Sequence, residues 1–506
     1  MIRLVIGLSV FSLVALHPAL SHAQDKIRDL VVKIHAIHHT PDVLRPWAKN
    51  SPQHVGGSGV VIEGKRILTN AHVVRYASQI YVQPNQSAAR IAARVDAISP
   101  SMDLALLKLE DESFFESRGT LPFADELPRV KDAVNVYGYP TGGTELSVTQ
   151  GIVSRIEYTE YYYQTTGLRI QVDAALNFGN SGGPAVSDGK LVGLVFSLIQ
   201  NAQNIGYLIP VEEVQLFLED VADGIYNGKP QLHDFLQTVE NDALRYRLGL
   251  PAGVSGVMVT EPYRKDPTYP LKEWDVITKI GDTPIDSDGK VAVRYDLRLS
   301  ALYLIQKYAK NGQVDLTVYR RGELVKLTMP VQSERDMVLP YLMNRSPRYF
   351  IAGPLVLSQA TQEYVERLGI QRTSQQTNPL ISRRYDKPAF DGEELVVVSS
   401  PMFPHRITKG YDDPERSVVS EVNGVRVKSL RHIVEILRDS DEPQVTFKFA
   451  RPGRRTHETM VFNRLELLEA TGKILEDNGI RYPYSADLHS VWDKKVTVGP
   501  IPAPGS

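Results

Sequence analysis

Between residues 24 and about 210 the apolar positions come in short runs, each closed by glycine, proline or a small polar residue. The runs are GVVIE (59–63), RILTN (66–70), LALLKL (104–109), AVNVYGYP (133–140), SVTQGIVSRIE (147–157), LRIQVD (168–173), KLVGLVFSLI (190–199) and IGYLIP (205–210). VVKIHAI, from Val31, alternates in the same way. Many short alternating or β-branched runs with turn residues between them predict an antiparallel sandwich or barrel. The period then changes. Val211, Val214, Phe217, Leu218 and Val221 recur on one helical face. This predicts a helix that ends near Gly224, with YNGKPQ as a linker.

The rest of the chain carries a weak internal repeat. VITKIGDTPI (276–285) and VVSEVNGVRV (418–427) each read as two strands around a tight turn. A helix is expected after each copy, with Leu297, Ala301, Leu304, Ile305 and Tyr308 on one face in the first, and Leu430, Ile433, Val434 and Leu437 in the second. A strand–turn–strand follows in both, at 314–331 and 445–462. The pattern predicts two α+β modules of ordinary domain size, at 240–332 and 345–462. RLELLEATGKILEDNG (464–479) reads as a helix that opens a C-terminal extension, 463–506, ending in a Pro-rich tail.

Composition narrows the classes. With 506 residues the chain is long enough for about three domains. A net charge of −2 gives no reason to expect nucleic acid as a partner. With no cysteine, disulfides, thiolate catalysis and thiolate-bound metals are all excluded. MIRLVIGLSVFSLVAL, with one early cation and Ser21-His22-Ala23 after it, reads as a secretory signal peptide spanning 1–23, the alternative being a retained anchor. The expected location is periplasmic or otherwise exported. His35, His38 and His39, with His54 nearby, raise a metal site as an option. The alternation of their segment favours a strand, so no metal and no cofactor is expected.

The chemistry centres on LNFGNSGGPAV (176–186). Gly179, Ser181 and Gly183 match G-x-S-x-G, but Gly182-Gly183-Pro184 disfavours the helix that a nucleophile elbow needs. The order His, Asp, Ser belongs instead to a chymotrypsin-like double β-barrel. His72 stands just after a predicted strand and Asp103 just before one. Each residue alone has a plainer reading, as a structural histidine, a turn aspartate and a turn serine. Together, in this order and at these element ends, they fit nucleophilic catalysis. A serine hydroxyl needs a base to take its proton, histidine serves near neutral pH, and a carboxylate fixes the imidazole tautomer. The N–H groups of Gly179, Asn180 and Ser181 are the candidates for an oxyanion hole, with Gly179 and Ser181 the natural pair.

TNAHVV, MDLALLKL, SVTQGIVSRIE and DAALNFGNSGGPAV resemble the protease domain of the HtrA/Deg serine proteases. The two repeats resemble PDZ domains, and PRYFIAGPLVLSQATQEYVERLG is closest to plant-type members. The resemblance implies a protease domain over 24–228, with His72 as base, Asp103 as orienting acid and Ser181 as nucleophile. It implies ATP-independent cleavage of unfolded or damaged polypeptides, and homo-trimers or assemblies of trimers. It places Ala175, Leu176 and Ile205 around the specificity pocket. None is acidic, so cleavage after small or medium aliphatic residues is expected. Pro184 departs from many bacterial members. The tyrosine-rich stretch 157–167 reads either as a contact with a neighbouring subunit or as an irregular hairpin with half-buried rings. The PDZ modules are expected to bind C-terminal or extended peptides by strand addition. Tyr246, Arg247, Leu248 and Gly249 are candidates for the first module's carboxylate loop, the alternative being a helix C-cap at Gly249. The second module shows no such loop. A chaperone or scaffold with latent proteolysis is the alternative function.

Overall fold

The computed structural model describes residues 26–140, 143–198, 205–369, 378–450 and 458–493. The expected signal peptide and the last thirteen residues lie outside them. The chain divides into two compact units. One holds the chain up to His38 together with Gln53–Arg335, the other His39–Pro52 together with the chain from Asp336 onward.

Strands β1 (Val31–His38), β2 (Gln53–Ile62), β3 (Arg66–Thr69), β4 (Ala77–Pro84), β5 (Ile91–Ser99) and β6 (Leu104–Leu109) close a barrel in the order β1-β2-β3-β6-β5-β4. Strands β7 (Ala133–Gly138), β8 (Ser147–Glu160), β9 (Thr166–Val172), β10 (Pro184–Ser187), β11 (Lys190–Leu198) and β12 (Gly206–Pro210) close a second in the order β10-β11-β12-β9-β8-β7. Closure leaves no strand edge open. Val60, Val61, Ile62 and Leu104 to Leu107 are buried as unbroken apolar runs, because both faces of these strands are covered. The short helix α1 (Ala71–Val74) follows β3, and α2 (Val211–Asp220) follows β12 and packs Val214 and Phe217 into the first barrel's core.

Two rings of the tyrosine-rich hairpin pack within the chain. Tyr161 lies under the guanidinium of Arg169, 3.5 Å from its ring centre, and edge-on to Phe196. Tyr158 meets Tyr303 edge-on. The Tyr158 and Tyr161 rings are half-buried. Arg169 itself is buried. Beside it, Lys229 and Glu213 make an ion pair at 2.8 Å with both side chains fully enclosed.

The first unit continues into a sheet of strands Phe235–Thr238, Val257–Glu261, Val276–Ile280, Gln313–Arg320 and Glu323–Pro330, hydrogen-bonded in that order. The helix expected from Leu297 begins later. Leu297–Ser300 is a strand paired with Lys290–Arg294, and the helix is Tyr303–Tyr308. Leu297 and Leu299 are buried and Arg298 is exposed, so a period of two runs into the period of 3.6. Arg294 donates to the carbonyls of Leu127 and Pro128, and Tyr303 to Glu212, fixing this module to the segment before β7 and to α2.

The second unit is built on strands Tyr349–Ala352, Leu355–Gln359, Val396–Val398, Val418–Val422, Gln444–Ala450 and Glu458–Asn463. Helix Leu430–Asp439 buries Leu430, Ile433, Val434 and Leu437, and the Ser429 side chain caps its first turn through the His432 N–H. Helix Arg464–Asp477 packs Leu467 into the same core. Trp47, from the segment that leaves the first barrel between β1 and β2, packs on Tyr349 and Phe403. Nothing in the hydrophobic pattern signals that this excursion joins the second unit.

Candidate active site

Helix α1 begins directly after β3, so His72 is set at a fixed distance from the barrel wall. Asp103 occupies the turn before β6, where its N–H bonds the Pro100 carbonyl. It stands at φ 57, a left-handed conformation that costs a non-glycine residue free energy and that the surroundings must enforce. The surroundings are a set of hydrogen bonds. Asn70 Nδ2 donates to Asp103 O at 3.0 Å, and Met102 N–H donates to Ser99 Oγ at 3.2 Å. Asp103 Oδ1 accepts the His72 backbone N–H at 2.8 Å, and Oδ2 lies 2.6 Å from His72 Nδ1.

The carboxylate is buried, while the imidazole keeps 39% of its surface exposed. Burial of the ring pulls the His72 pKa down. The charge and hydrogen bond of Asp103 outweigh this and hold it above the ordinary 6.5. A carboxylate on Nδ1 fixes that nitrogen as the donor and leaves Nε2 as the acceptor.

Two consecutive turns, 177–180 and 180–183, carry the chain through Ser181, which lies in the second. The Asn180 N–H bonds Asn177 O, and the Gly183 N–H bonds Asn180 O. Gly179 at φ 96 and Gly182 at φ 82 are the third residues of these turns, where a positive φ is needed. This explains the glycine spacing in NFGNSGG. A Cβ on Gly182 would stand 2.2 Å from Ser58 O and 2.3 Å from Thr69 Oγ1. The glycine therefore lets the serine turn press against the wall that leads to His72. No hydrogen bond joins Ser181 Oγ to His72 among the described residues; such bonds are often loose in free enzymes. Among the described residues the Gly179 and Ser181 N–H groups donate to no protein acceptor, whereas that of Asn180 is taken by Asn177 O. Of the three candidate N–H groups, those of Gly179 and Ser181 are thus the ones left open to a ligand.

Leu176 lies over Gly206, whose added Cβ would stand 2.2 Å from Leu176 Cδ1. Ile205 is half-buried and Ala175 exposed. The Leu176 side chain therefore covers the Gly206 backbone.

Tyr246, Arg247 and Leu248 form the end of helix Asp242–Leu248, capped by Gly249 at φ 63. The Gly249 and Leu250 N–H groups bond Tyr246 O and Arg245 O. They close the helix as a C-cap at Gly249 does. Among the described residues no group of three or more His, Asp or Glu is placed to hold a metal. His35 Nε2 pairs with Gln83 and His38 Nε2 with the Val73 carbonyl. Sequence reasoning missed Ser58. Its only signal is a polar residue between two glycines, directly before the apolar run GVVI.

Two six-stranded barrels, a carboxylate-bound histidine after one strand and a serine in a glycine-rich turn define a trypsin-like serine endopeptidase. A family model for a trypsin-like peptidase domain matches residues 57–194, and one for a PDZ domain matches residues 338–487, a span that includes helix Arg464–Asp477. The chain is 34% identical over 449 residues to "Protease Do-like 4, mitochondrial" of Arabidopsis thaliana, covering 88% of this chain and 83% of that one. It is 33% identical over 470 residues to "Protease Do-like 2, chloroplastic" of the same plant, covering 90% and 75%. Among solved structures it is similar to "HtrA-type protease AlgW with decapeptide", at 25% identity and a TM-score of 0.48, over 62% of this chain and 98% of that one. The chain belongs to the Do-like, or HtrA/Deg, family of PDZ-containing serine proteases.

Proposed function

We propose that this protease cleaves unfolded or damaged polypeptides without ATP, with Ser181 as nucleophile, His72 as general base and Asp103 as its orienting acid. The observation that carries the reading is the two-point grip of Asp103 on His72, through Nδ1 and the backbone N–H. Proton transfer from Ser181 to Nε2 makes the hydroxyl nucleophilic. The imidazolium, stabilised by Asp103, then returns the proton to the leaving amine. Gly179 and Ser181 N–H receive the negative charge of the tetrahedral intermediate. The leucine-covered pocket floor supports a preference for small or medium aliphatic residues before the cut.

The PDZ modules take C-terminal or extended peptide segments, and three copies of the chain assemble as in the family. The protein acts after export or organellar import. The apolar N-terminal stretch suits such an address, and the relatives' names place them in mitochondria and chloroplasts. Digestion of casein by the mature protein beside Ser181→Ala tests the reading. Cleavage confined to the wild type, with cuts after aliphatic residues, is expected. Equal cleavage by both proteins, or cuts after lysine and arginine, would refute it.

A further inference from the structure

We infer that Ser58 is a positioning residue that holds the oxyanion donors in place, by tying both peptide units that flank the Ser181 N–H to the first barrel. The inference rests on the assignment of Ser181 as nucleophile.

Ser58 is fully buried on β2. Its Oγ donates to Gly179 O at 2.8 Å and accepts the Tyr139 N–H at 2.9 Å. Its own N–H donates to Ser181 O at 2.9 Å, and its carbonyl accepts from Thr69 Oγ1 at 2.7 Å. Every polar group of this one residue is therefore engaged, and two of its bonds end on the catalytic loop. The flanking glycines make room for this. A Cβ on Gly57 would stand 2.5 Å from Val73, next to His72, and one on Gly59 would stand 2.8 Å from Ile67. Residues 57 and 59 face one side of the strand and Ser58 the other.

Counting bonds along the loop shows what Ser58 controls. The 179–180 peptide is held at both ends, by Ser58 Oγ on its carbonyl and by Asn177 O on its N–H. The 181–182 peptide is also held at both ends, by the Ser58 N–H and by Val195 O. The 180–181 peptide between them has its carbonyl tied by Gly183 N–H, so its N–H, that of Ser181, is left to face a ligand. The 178–179 peptide, which carries the other donor, makes no protein hydrogen bond at either end among the described residues. Its orientation depends on its neighbour, and that neighbour's carbonyl is held by the Ser58 hydroxyl. Without the hydroxyl, Gly179 is free in φ and its N–H no longer points reliably at the reacting oxygen.

The test is Ser58→Ala in the full-length protein, with active sites counted by a fluorophosphonate and rates expressed per counted site. Loss of one oxyanion donor costs about 10²–10³ in kcat. We expect kcat per site to fall by about that factor, with KM for a peptide substrate within about twofold. A peptide boronic acid, whose tetrahedral adduct mimics the intermediate, should lose affinity in parallel. Ser58→Cys, with similar size and a weaker donor, should give an intermediate kcat, and it decides the matter if the alanine variant does not fold. A purely structural role would lower the number of counted sites and leave kcat per site unchanged, and that result overturns the inference. If wild type itself fails to react with the fluorophosphonate, or if Ser181→Ala still cleaves, the nucleophile assignment has failed instead.

Discussion

Lys229 Nζ lies 2.9 and 2.8 Å from the two carboxylate oxygens of Glu213, and neither side chain has any exposed surface. Glu213 Oε1 also accepts the Leu168 N–H at 2.8 Å. The pair thus ties the segment after α2 to β9, the strand that leads into the Ser181 loop. Removing one partner leaves a buried charge without its counterion, at a cost of about 3–5 kcal/mol. Lys229→Met should therefore lower the melting temperature more than Lys229→Met combined with Glu213→Gln, as read by calorimetry.

The same pair predicts a pH dependence. Burial, working against Glu213, holds the Lys229 pKa down at about 8 in the fold. An unfolded lysine titrates near 10.4. Between these values the unfolded chain binds the extra proton, so this group makes stability rise with pH from about 8 to about 10. The difference in melting temperature between wild type and Lys229→Met, followed across that window, isolates the effect. A flat difference would mean that Lys229 stays charged in the fold.

His72 has to be neutral to accept a proton. Because Asp103 holds its pKa above 6.5, the acid limb of kcat/KM should have its midpoint above that value. Asp103→Asn should lower the midpoint and reduce kcat by roughly 10⁴. A pH profile of peptide cleavage for both proteins checks this.

Gly182→Ala would set a Cβ against backbone oxygen at a residue whose φ is 82. Neither Ser58 O nor the turn can yield without moving Ser181. The expected outcome is a loss of at least ~100-fold in kcat, the scale of one lost oxyanion donor. Gly189→Ala, in an open turn with nothing within 4 Å of its Cβ, is the control. It should keep its activity while paying only the backbone strain of its positive φ.

Leu176→Ala should uncover the space above Gly206. The preferred residue before the cut should shift toward larger apolar side chains, by about tenfold or more in relative kcat/KM, since one methylene in an apolar pocket is worth about 10–200-fold. A peptide library compared between the two proteins measures the shift.

The barrels were legible because their strands alternate or are buried on both faces; every run singled out in the sequence falls in or beside a strand. Strands Ala77–Pro84, Ile91–Ser99 and Pro184–Ser187 were not singled out. In the first two the mixed burial breaks the pattern, with Ser78, Gln79 and Arg94 on exposed faces. His72 and Asp103 were readable from their places at strand ends. Their mutual grip was not, because it depends on the unusual φ of Asp103, which no local pattern encodes. Ser58 was invisible for a related reason. Its partners are more than a hundred residues away at Gly179, and only the folded barrels bring them together. At Tyr246–Gly249 the sequence left a cap and a binding loop both open, because a glycine that ends a helix resembles one that opens a loop.

The measurement that bears most directly on the account is fluorophosphonate labelling of the mature protein, with the adduct mapped by mass spectrometry, in wild type and in His72→Ala. The account predicts a single adduct on Ser181 in the wild type and labelling slower by orders of magnitude in the variant. An adduct elsewhere, or labelling of Ser181 at the same rate without His72, would contradict it.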